Sequence, residues 1–357
     1  MNICFCQTIY LSRKGRDVMK KIIILGFITL FLLTGCGKVT GEKLIKEFTN
    51  KVTSSKAYEI NGTMEIIGDE DIFSYKVNVA YKDDNYRVSL INQTNNHEQL
   101  ILKNSTGVYV VTPSLNKSFK FQSDWPKNSS QAYLLMSLVT DLEREGSGAL
   151  TKTDNGYILE AKVSYPNNPD LVSEKLYFDD GMNLKRVEVF NADGKVRIRV
   201  NFTSINYKAK FDDNHFDLST LVNEDCCEPE ENEPREVEET NRLLDVIYPL
   251  YIPANTFLTS KDVIDIDRGQ RAIMTFRGEN NFILVQETAR IPHEFEVIPV
   301  YGEPLMLNDT IAALSGNSLH WSVNNRDYYL TSDSLSSSQL ATIAHSLANS
   351  IAVSISK

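Results

Sequence analysis

The chain has 357 residues, of which 42% are hydrophobic and 24% are charged. These values are typical of globular proteins and exclude a chain that is disordered throughout. The 37 Lys and Arg residues stand against 47 Asp and Glu residues, which leaves a net charge of −10. Because a nucleic-acid-binding protein normally carries a basic surface, this balance argues against a nucleic-acid partner. The length allows two domains, and the 16 Tyr and 16 Phe residues favour β-structure.

The N-terminal segment has the organisation of a bacterial lipoprotein signal peptide. Two lysines precede the apolar run Ile22 to Leu33, whose 12 residues fall short of the roughly 20 that a membrane-spanning helix needs. The run leads into Gly35 and Cys36, which gives a small-residue cleavage site. The pattern resembles the lipobox, in which the signal peptide, here residues 19–35, is cleaved before an acylated cysteine. We predict a palmitate-type lipid anchor on Cys36 that holds the protein at the extracytoplasmic face of the membrane.

Residues 1–18 do not fit this organisation, because a signal peptide seldom carries such a segment before its charged region. The tripeptide Lys14-Gly15-Arg16 can be encoded by a purine-rich stretch that resembles a ribosome-binding site, just upstream of Met19. We therefore predict that translation starts at Met19 and that residues 1–18 are a mis-assigned upstream extension.

Residues 36–222 are predicted to form a β-rich domain. It opens with a short amphipathic helix over residues 38–51. Apolar and polar residues then alternate strictly, for example over 75–81 and 196–202, which is typical of half-buried strands. Clusters of Asn, Asp and Gly separate these runs. The pattern predicts one large antiparallel sheet that is curved or barrel-like.

One helix is predicted to interrupt this sheet, over residues 128–144. Its apolar face is wider than a surface helix needs. Two interpretations stay open: a helix that completes the core, or a movable plug over an apolar groove. The candidate groove residues are Trp125, Leu135, Met136 and Val139.

Residues 223–241 predict an acidic linker, because they hold nine acidic residues and a single Arg. Residues 242–357 predict a small α+β domain. It contains two hairpins, around residues 277–281 and 324–325, and a C-terminal helix. A capping box formed by Ser336 and Gln339 predicts the start of that helix.

The sequence carries no motif for catalysis, a metal or a cofactor. The five His residues are far apart and have no metal-ligand spacing. Ser114 and Lys117 match the S-x-x-K motif, but they lie between two strand patterns and lack the partner motifs. Cys226 and Cys227 are adjacent, so a disulfide between them would be strained. Unpaired thiols, a bond to a partner and metal ligation by this pair stay open.

The order of short helix, long antiparallel sheet, inserted helix and returning strands resembles the LolA-like half-barrel, the fold of the carrier LolA and of RseB-type regulators. The segments Tyr86-Arg87, Gln99 to Lys117 and Trp125-Pro126 are similar to Gram-positive spore-former lipoproteins of the GerS and YdcC kind. The C-terminal run from Trp321 to Leu330 is similar to the second module of the YdcC-like branch.

The resemblance implies an α+β protein without catalytic activity that supports sporulation, germination or remodelling of the cell envelope. It implies an envelope protein as partner, and a cortex peptidoglycan amidase is the partner of the GerS type. It also implies that the predicted anchor lies in the cell or the forespore membrane. Two alternatives stay open. A lipid- or acyl-chain-binding module would need a continuous dry cavity, and an RseB-like regulator of a sigma-factor pathway would need a membrane partner.

Overall fold

The computed structural model describes residues 39–69, 71–144, 146–221, 246–267 and 269–355, with the side chains to residue 347. The predicted signal peptide, Gly35, Cys36 and the linker with Cys226 and Cys227 lie outside these ranges. Within them no helix is long and apolar enough to cross a membrane.

A 12-stranded sheet forms the first part of the molecule. Strands β1 to β6 follow one another as an antiparallel meander, and β11 to β7 continue the sheet on the other side of β1. The strands are β1 (Ala57–Ile67), β2 (Ile72–Lys82), β3 (Asn85–Asn92), β4 (Glu98–Asn104), β5 (Gly107–Thr112), β6 (Lys117–Phe121), β7 (Ala149–Thr153), β8 (Gly156–Lys162), β9 (Leu171–Phe178), β10 (Leu184–Asn191) and β11 (Val196–Asn206). The predicted large antiparallel sheet is confirmed.

Helix α1 (Gly41–Thr53) precedes this sheet, close to its predicted position. The Thr40 hydroxyl accepts a hydrogen bond from the Lys43 backbone N–H and caps the helix. Leu44, Phe48 and Val52 recur at helical spacing and are buried against the sheet. The short amphipathic helix predicted from the sequence is therefore confirmed, with bounds shifted by about one turn at its start.

Helix α2 spans Leu135–Leu142, so the prediction of a helix over 128–144 is wrong at its start. The preceding segment uses its backbone for other bonds. Ser130 accepts from and donates to Ser164 near the end of β8, and the Gln131 N–H bonds to the Ser137 hydroxyl at 2.7 Å. These groups are then not available for a helical ladder. The helix that remains packs into the core of the first sheet.

A second sheet of seven strands follows, in the order β12-β13-β14-β19-β18-β17-β16. Its strands are β12 (Thr256–Ile266), β13 (Gly269–Gly278), β14 (Phe282–Thr288), β16 (Glu303–Met306), β17 (Ile311–Ser315), β18 (Ser318–Val323) and β19 (Arg326–Thr331). Helix α3 (Ser337–Ile355) packs on it and shares a core with the stacked pair Trp321 and Tyr328. The predicted α+β class, with a curved sheet, an inserted helix and a smaller α+β unit, is confirmed.

The local signals of the second unit are also confirmed. β13 pairs with β14, and β18 pairs with β19 across Asn324 and Asn325, which both have positive φ. At the start of α3 the Ser336 N–H donates to Gln339 Oε1 at 2.9 Å, and the Gln339 N–H donates to Ser336 Oγ at 3.3 Å. This is the reciprocal capping box.

The two sheets are joined by a strand that the sequence did not reveal. β15 (Glu296–Val300) comes from the C-terminal unit, yet it pairs in parallel with β6 at the edge of the first sheet. The domain boundaries 36–222 and 242–357 stay a prediction. In the structure the chain crosses between the two units at β15.

A buried ion pair joins the sheets next to this strand. Lys117 Nζ lies 2.9 Å from Asp327 Oδ2, and the two side chains are only 8% and 4% exposed. The Ser322 hydroxyl donates to the other Asp327 oxygen. The Lys of the S-x-x-K match therefore has a structural role, because a buried charge needs a partner.

We predict that Lys117→Met lowers the free energy of unfolding by about 3–5 kcal/mol, because it leaves the Asp327 carboxylate buried without its counter-ion. Urea unfolding measures this change. The double variant with Asp327→Asn should recover part of the loss. Lys185→Met is the control, because Lys185 pairs with Asp179 at the surface, and its cost should stay within about 1 kcal/mol. Equal losses of stability in Lys117→Met and Lys185→Met would contradict the prediction.

Candidate functional site

A cavity of about 380 Å³ lies between the two units. This volume is within the range of small-molecule sites, about 300–1,000 Å³. The end of β1, the segment before α2, the loop from residue 165 to 171, β11, residues 303–311 and one face of α3 all contribute to its wall. The cavity therefore exists only when the second unit is docked on the first.

One part of the cavity wall is apolar. Its members come mainly from β1, β11 and the segment around β16. They are Met64, Ile66, Ile101, Ala132, Ile198, Leu305, Met306, Leu307 and Ile311, together with the aromatic rings of Trp125, Tyr133 and Tyr165.

Of the four predicted groove residues, Trp125 is the one that lines this cavity. Its ring lies 5.8 Å from that of Tyr86 in an edge-on arrangement, which fixes its orientation. Leu135 and Val139 are buried in the core of the first sheet, and Met136 packs against that core half-buried. Helix α2 thus presents these three side chains to the core and not to the cavity.

The other part of the wall is polar and rich in carboxamides. Six Asn and Gln side chains take part: Asn128, Gln131, Asn167, Asn168, Asn191 and Asn308. A carboxamide both donates and accepts hydrogen bonds without carrying a charge. The wall is therefore suited to neutral polar groups.

Three residues that line this wall each carry a buried polar atom with no hydrogen-bond partner among the described residues. The atoms are Asn128 Oδ1, the Tyr165 hydroxyl and His345 Nδ1. Burial lowers the pKa of His345 to about 4, so its imidazole is neutral at pH 7. Buried polar atoms normally have partners, which makes three such atoms around one cavity a feature of the site.

The charged groups of the wall leave little room for an anion. Asp69, Asp170 and Glu303 are the carboxylates, and Arg197 is the single guanidinium. Arg197 Nη1 is already engaged, because it lies 2.9 Å from Asp69 Oδ1 and donates to the Ile67 carbonyl at 3.4 Å. The described wall is thus negative overall, and its one guanidinium is already paired with Asp69.

A buried carboxyl cluster lies beneath the polar wall. Glu174 on β9 is completely buried, and neither of its carboxyl oxygens has a hydrogen-bond partner among the described residues. Asp141 on α2 is also buried and bonds to Ser130 and Arg144 at 2.8 Å each. Burial raises the pKa of Glu174 well above its usual range, and the Asp141 carboxylate raises it further.

A second candidate surface is the free edge of the second sheet. Of the 14 exposed large hydrophobic side chains of the described residues, 12 lie between Tyr248 and Tyr301. On β12, the nine residues 257–265 are all exposed, and β12 is the last strand of its sheet. Phe257 is 67% exposed. A long exposed edge with apolar side chains is a typical place for another chain to pair.

The described residues contain no group of three or more His, Cys, Asp or Glu residues that could hold a metal ion. His320 is a packing residue, as predicted from its place beside Trp321: its ring lies 4.8 Å from Phe119 and 4.0 Å from Tyr329. His345 lines the cavity, whereas the sequence predicted a surface or packing residue. The one signal in the sequence for this position is that His345 follows Thr342 by about one helical turn, which puts both residues on the same side of α3.

We predict that Glu174→Gln changes the pH dependence of stability. Burial holds the pKa of Glu174 well above its ordinary value of 4.5 in the folded protein, whereas the carboxyl of the unfolded chain ionises near that value. The unfolded chain then binds fewer protons than the folded protein. The free energy of unfolding of the wild type therefore falls by up to about 1.4 kcal/mol per pH unit as the pH rises above 4.5. The neutral amide removes this slope.

Urea unfolding of both proteins between pH 5 and pH 8 tests this effect. Glu160→Gln is the control, because Glu160 is an exposed residue on the neighbouring strand β8. The advantage of Glu174→Gln over the wild type should grow with pH, and parallel stability curves would contradict the prediction.

Two comparisons identify the family. The family model described as "Sporulation protein YdcC-like" matches residues 18–216. Sporulation protein YdcC of Bacillus subtilis (strain 168) is 34% identical over 342 residues, which are 93% of this chain and 98% of that protein.

Solved structures show weaker similarity. A chain of the MucA/MucB complex of Pseudomonas aeruginosa is 11% identical, with a TM-score of 0.29, over 85% of this chain and 96% of that chain. A LolA superfamily protein from Nitrosomonas europaea is 12% identical, with a TM-score of 0.30, over 51% of this chain and 99% of that chain. The family assignment rests on the sequence matches: the chain belongs to the YdcC-like family of sporulation proteins.

Proposed function

We propose that this protein is a lipid-anchored binding protein without catalytic activity in the envelope of sporulating cells. It binds an envelope protein through the free edge of its second sheet. The observation that carries this proposal is the exposed strand β12, with its apolar side chains and a backbone that, among the described residues, pairs with a strand on one side only.

The geometry of β12 suits an extended partner segment. Such a segment bonds to the backbone of the edge strand, and its side chains alternate between the two faces. The register places Phe257 opposite Arg277 and Ile264 opposite Arg271. The buried Met274 and Phe276 lie on the other face of β13, so Phe257 and Ile264 point away from the core. Exposed apolar groups of this kind favour a partner with matching apolar side chains.

The firm connection between the sheets supports this function. The ion pair of Lys117 and Asp327 and the pairing of β15 with β6 hold the second unit on the first. A partner bound at β12 is therefore held at a fixed orientation relative to the first sheet. With a lipid on Cys36, the partner is also kept near the membrane surface.

An acyl-chain-binding module is the second candidate, and the apolar part of the cavity favours it. The polar part favours it less. A bare acyl chain makes no hydrogen bond to the carboxamides of the wall, and an anionic headgroup meets three carboxylates there. We therefore place the protein partner first.

A photo-crosslinking residue at position 257 tests the partner site in sporulating cells. We expect it to form a covalent complex with one envelope protein, and a peptidoglycan amidase is the first protein to test. The control is the same residue at Ile72, which is 60% exposed but lies on the first sheet. Equal products at both positions, or none at position 257, would count against the edge of the second sheet.

Metabolic labelling with a clickable fatty acid tests the anchor. We expect the label on the wild type and on Cys226→Ser, and none on Cys36→Ser, because an acyl anchor needs the Cys36 thiol. Cys36→Ser should then leave the membrane fraction, since the remaining chain has no lipid to hold it. Label retained by Cys36→Ser would overturn the anchor site.

A further inference from the structure

We propose that the cavity between the two units is a binding site for an uncharged ligand of sugar size that carries hydroxyl and amide groups. Asn128, Tyr165 and His345 recognise its polar groups, and the apolar wall packs against its carbon skeleton. This site lies apart from the β12 edge and does not depend on a protein partner.

The three buried atoms without partners are the first step of the argument. Asn128 Oδ1 accepts a hydrogen bond, and the neutral His345 Nδ1 donates or accepts according to its tautomer. The Tyr165 oxygen approaches the backbone amide of Ala132, and its own proton has no acceptor among the described residues. A ligand that supplies donors and acceptors at close spacing satisfies all three atoms. Vicinal hydroxyl groups have this property.

The charges of the wall disfavour the common anionic ligand classes. A phosphate, a fatty-acid carboxylate or a nucleotide needs a cation or free N–H groups. The described wall offers a single guanidinium, which is already paired with Asp69, and two further carboxylates. Bringing an anion into this cavity costs desolvation energy without a compensating ion pair.

The mixture of rings and amides favours a sugar over a flexible amphiphile. Trp125 and Tyr133 offer aromatic surface to the C–H groups of a ring. The carboxamides of the wall, such as those of Asn128 and Gln131, match neutral hydroxyl and acetamido groups. A volume of about 380 Å³ leaves space for one or two such rings. An N-acetylated hexose and its β-1,4-linked dimer are therefore the probes.

Ligand-observed NMR on the full chain in nanodiscs tests the proposal with N-acetylglucosamine and its dimer. We expect saturation transfer to the sugar protons and an affinity about tenfold weaker for Asn128→Leu, because one hydrogen bond is lost. Decanoate serves as the probe for the amphiphile class and should not displace the sugar.

A second variant keeps the test valid if Asn128→Leu does not fold. Thr342 is exposed on α3 and lines the cavity, so Thr342→Trp blocks the site from the surface of the helix. Thr140→Trp on α2 is the matched control. Both threonines are exposed and donate to the carbonyl four residues earlier, at 2.9 and 3.0 Å, but Thr140 does not line the cavity.

Loss of the sugar signal in Thr342→Trp, with an unchanged signal in Thr140→Trp, supports the site. Three results would overturn it: no saturation transfer to either sugar, binding that Thr342→Trp leaves intact, or displacement of the sugar by decanoate. None of these results bears on crosslinking at position 257, so the two proposals can fail separately.

Discussion

The buried ion pair between Lys117 and Asp327 connects the two sheets. Two charges are taken out of water there, and the Ser322 hydroxyl satisfies the second carboxylate oxygen. Such a pair adds little net stability, but it is costly to break or to rearrange. Together with the parallel pairing of β15 with β6, it fixes one relative position of the two sheets. The cavity walls depend on that position.

Two further hydrogen bonds between the two units involve residues of the cavity wall. The Tyr75 hydroxyl donates to the Asn308 carbonyl at 2.6 Å, and Gln99 Oε1 accepts from the Ile311 N–H at 2.7 Å. Both second-unit residues lie in the cavity wall. The first sheet therefore positions the polar wall through its own buried side chains, and a shift of either sheet would open the cavity.

The two candidate surfaces differ in their chemistry, which follows from their surroundings. At the edge of a sheet the backbone is free on one side, so β12 offers main-chain groups and apolar side chains to an extended chain. Inside the cavity the polar wall is rich in Asn and Gln residues, which suit a small neutral molecule. The two proposed binding sites therefore lie at separate places on the molecule.

Local and periodic features were determined by the sequence itself. Strict alternation predicted the strands, and Ser336 with Gln339 predicted the start of α3, because these signals act between residues that are close in the chain. Helix α2 was predicted too long, because Ser130 and Ser164 are 34 residues apart and their bonds leave no local trace. Of the residues that line the cavity, Trp125 is the one that the sequence analysis had named as a groove candidate. Asn128, Tyr165 and His345 come from distant segments of the chain and meet at the cavity. The pairing of β15 with the first sheet has no periodic signal in the sequence. Tertiary structure alone decided these features, because hydrogen bonding and burial across long sequence separations depend on which surfaces meet.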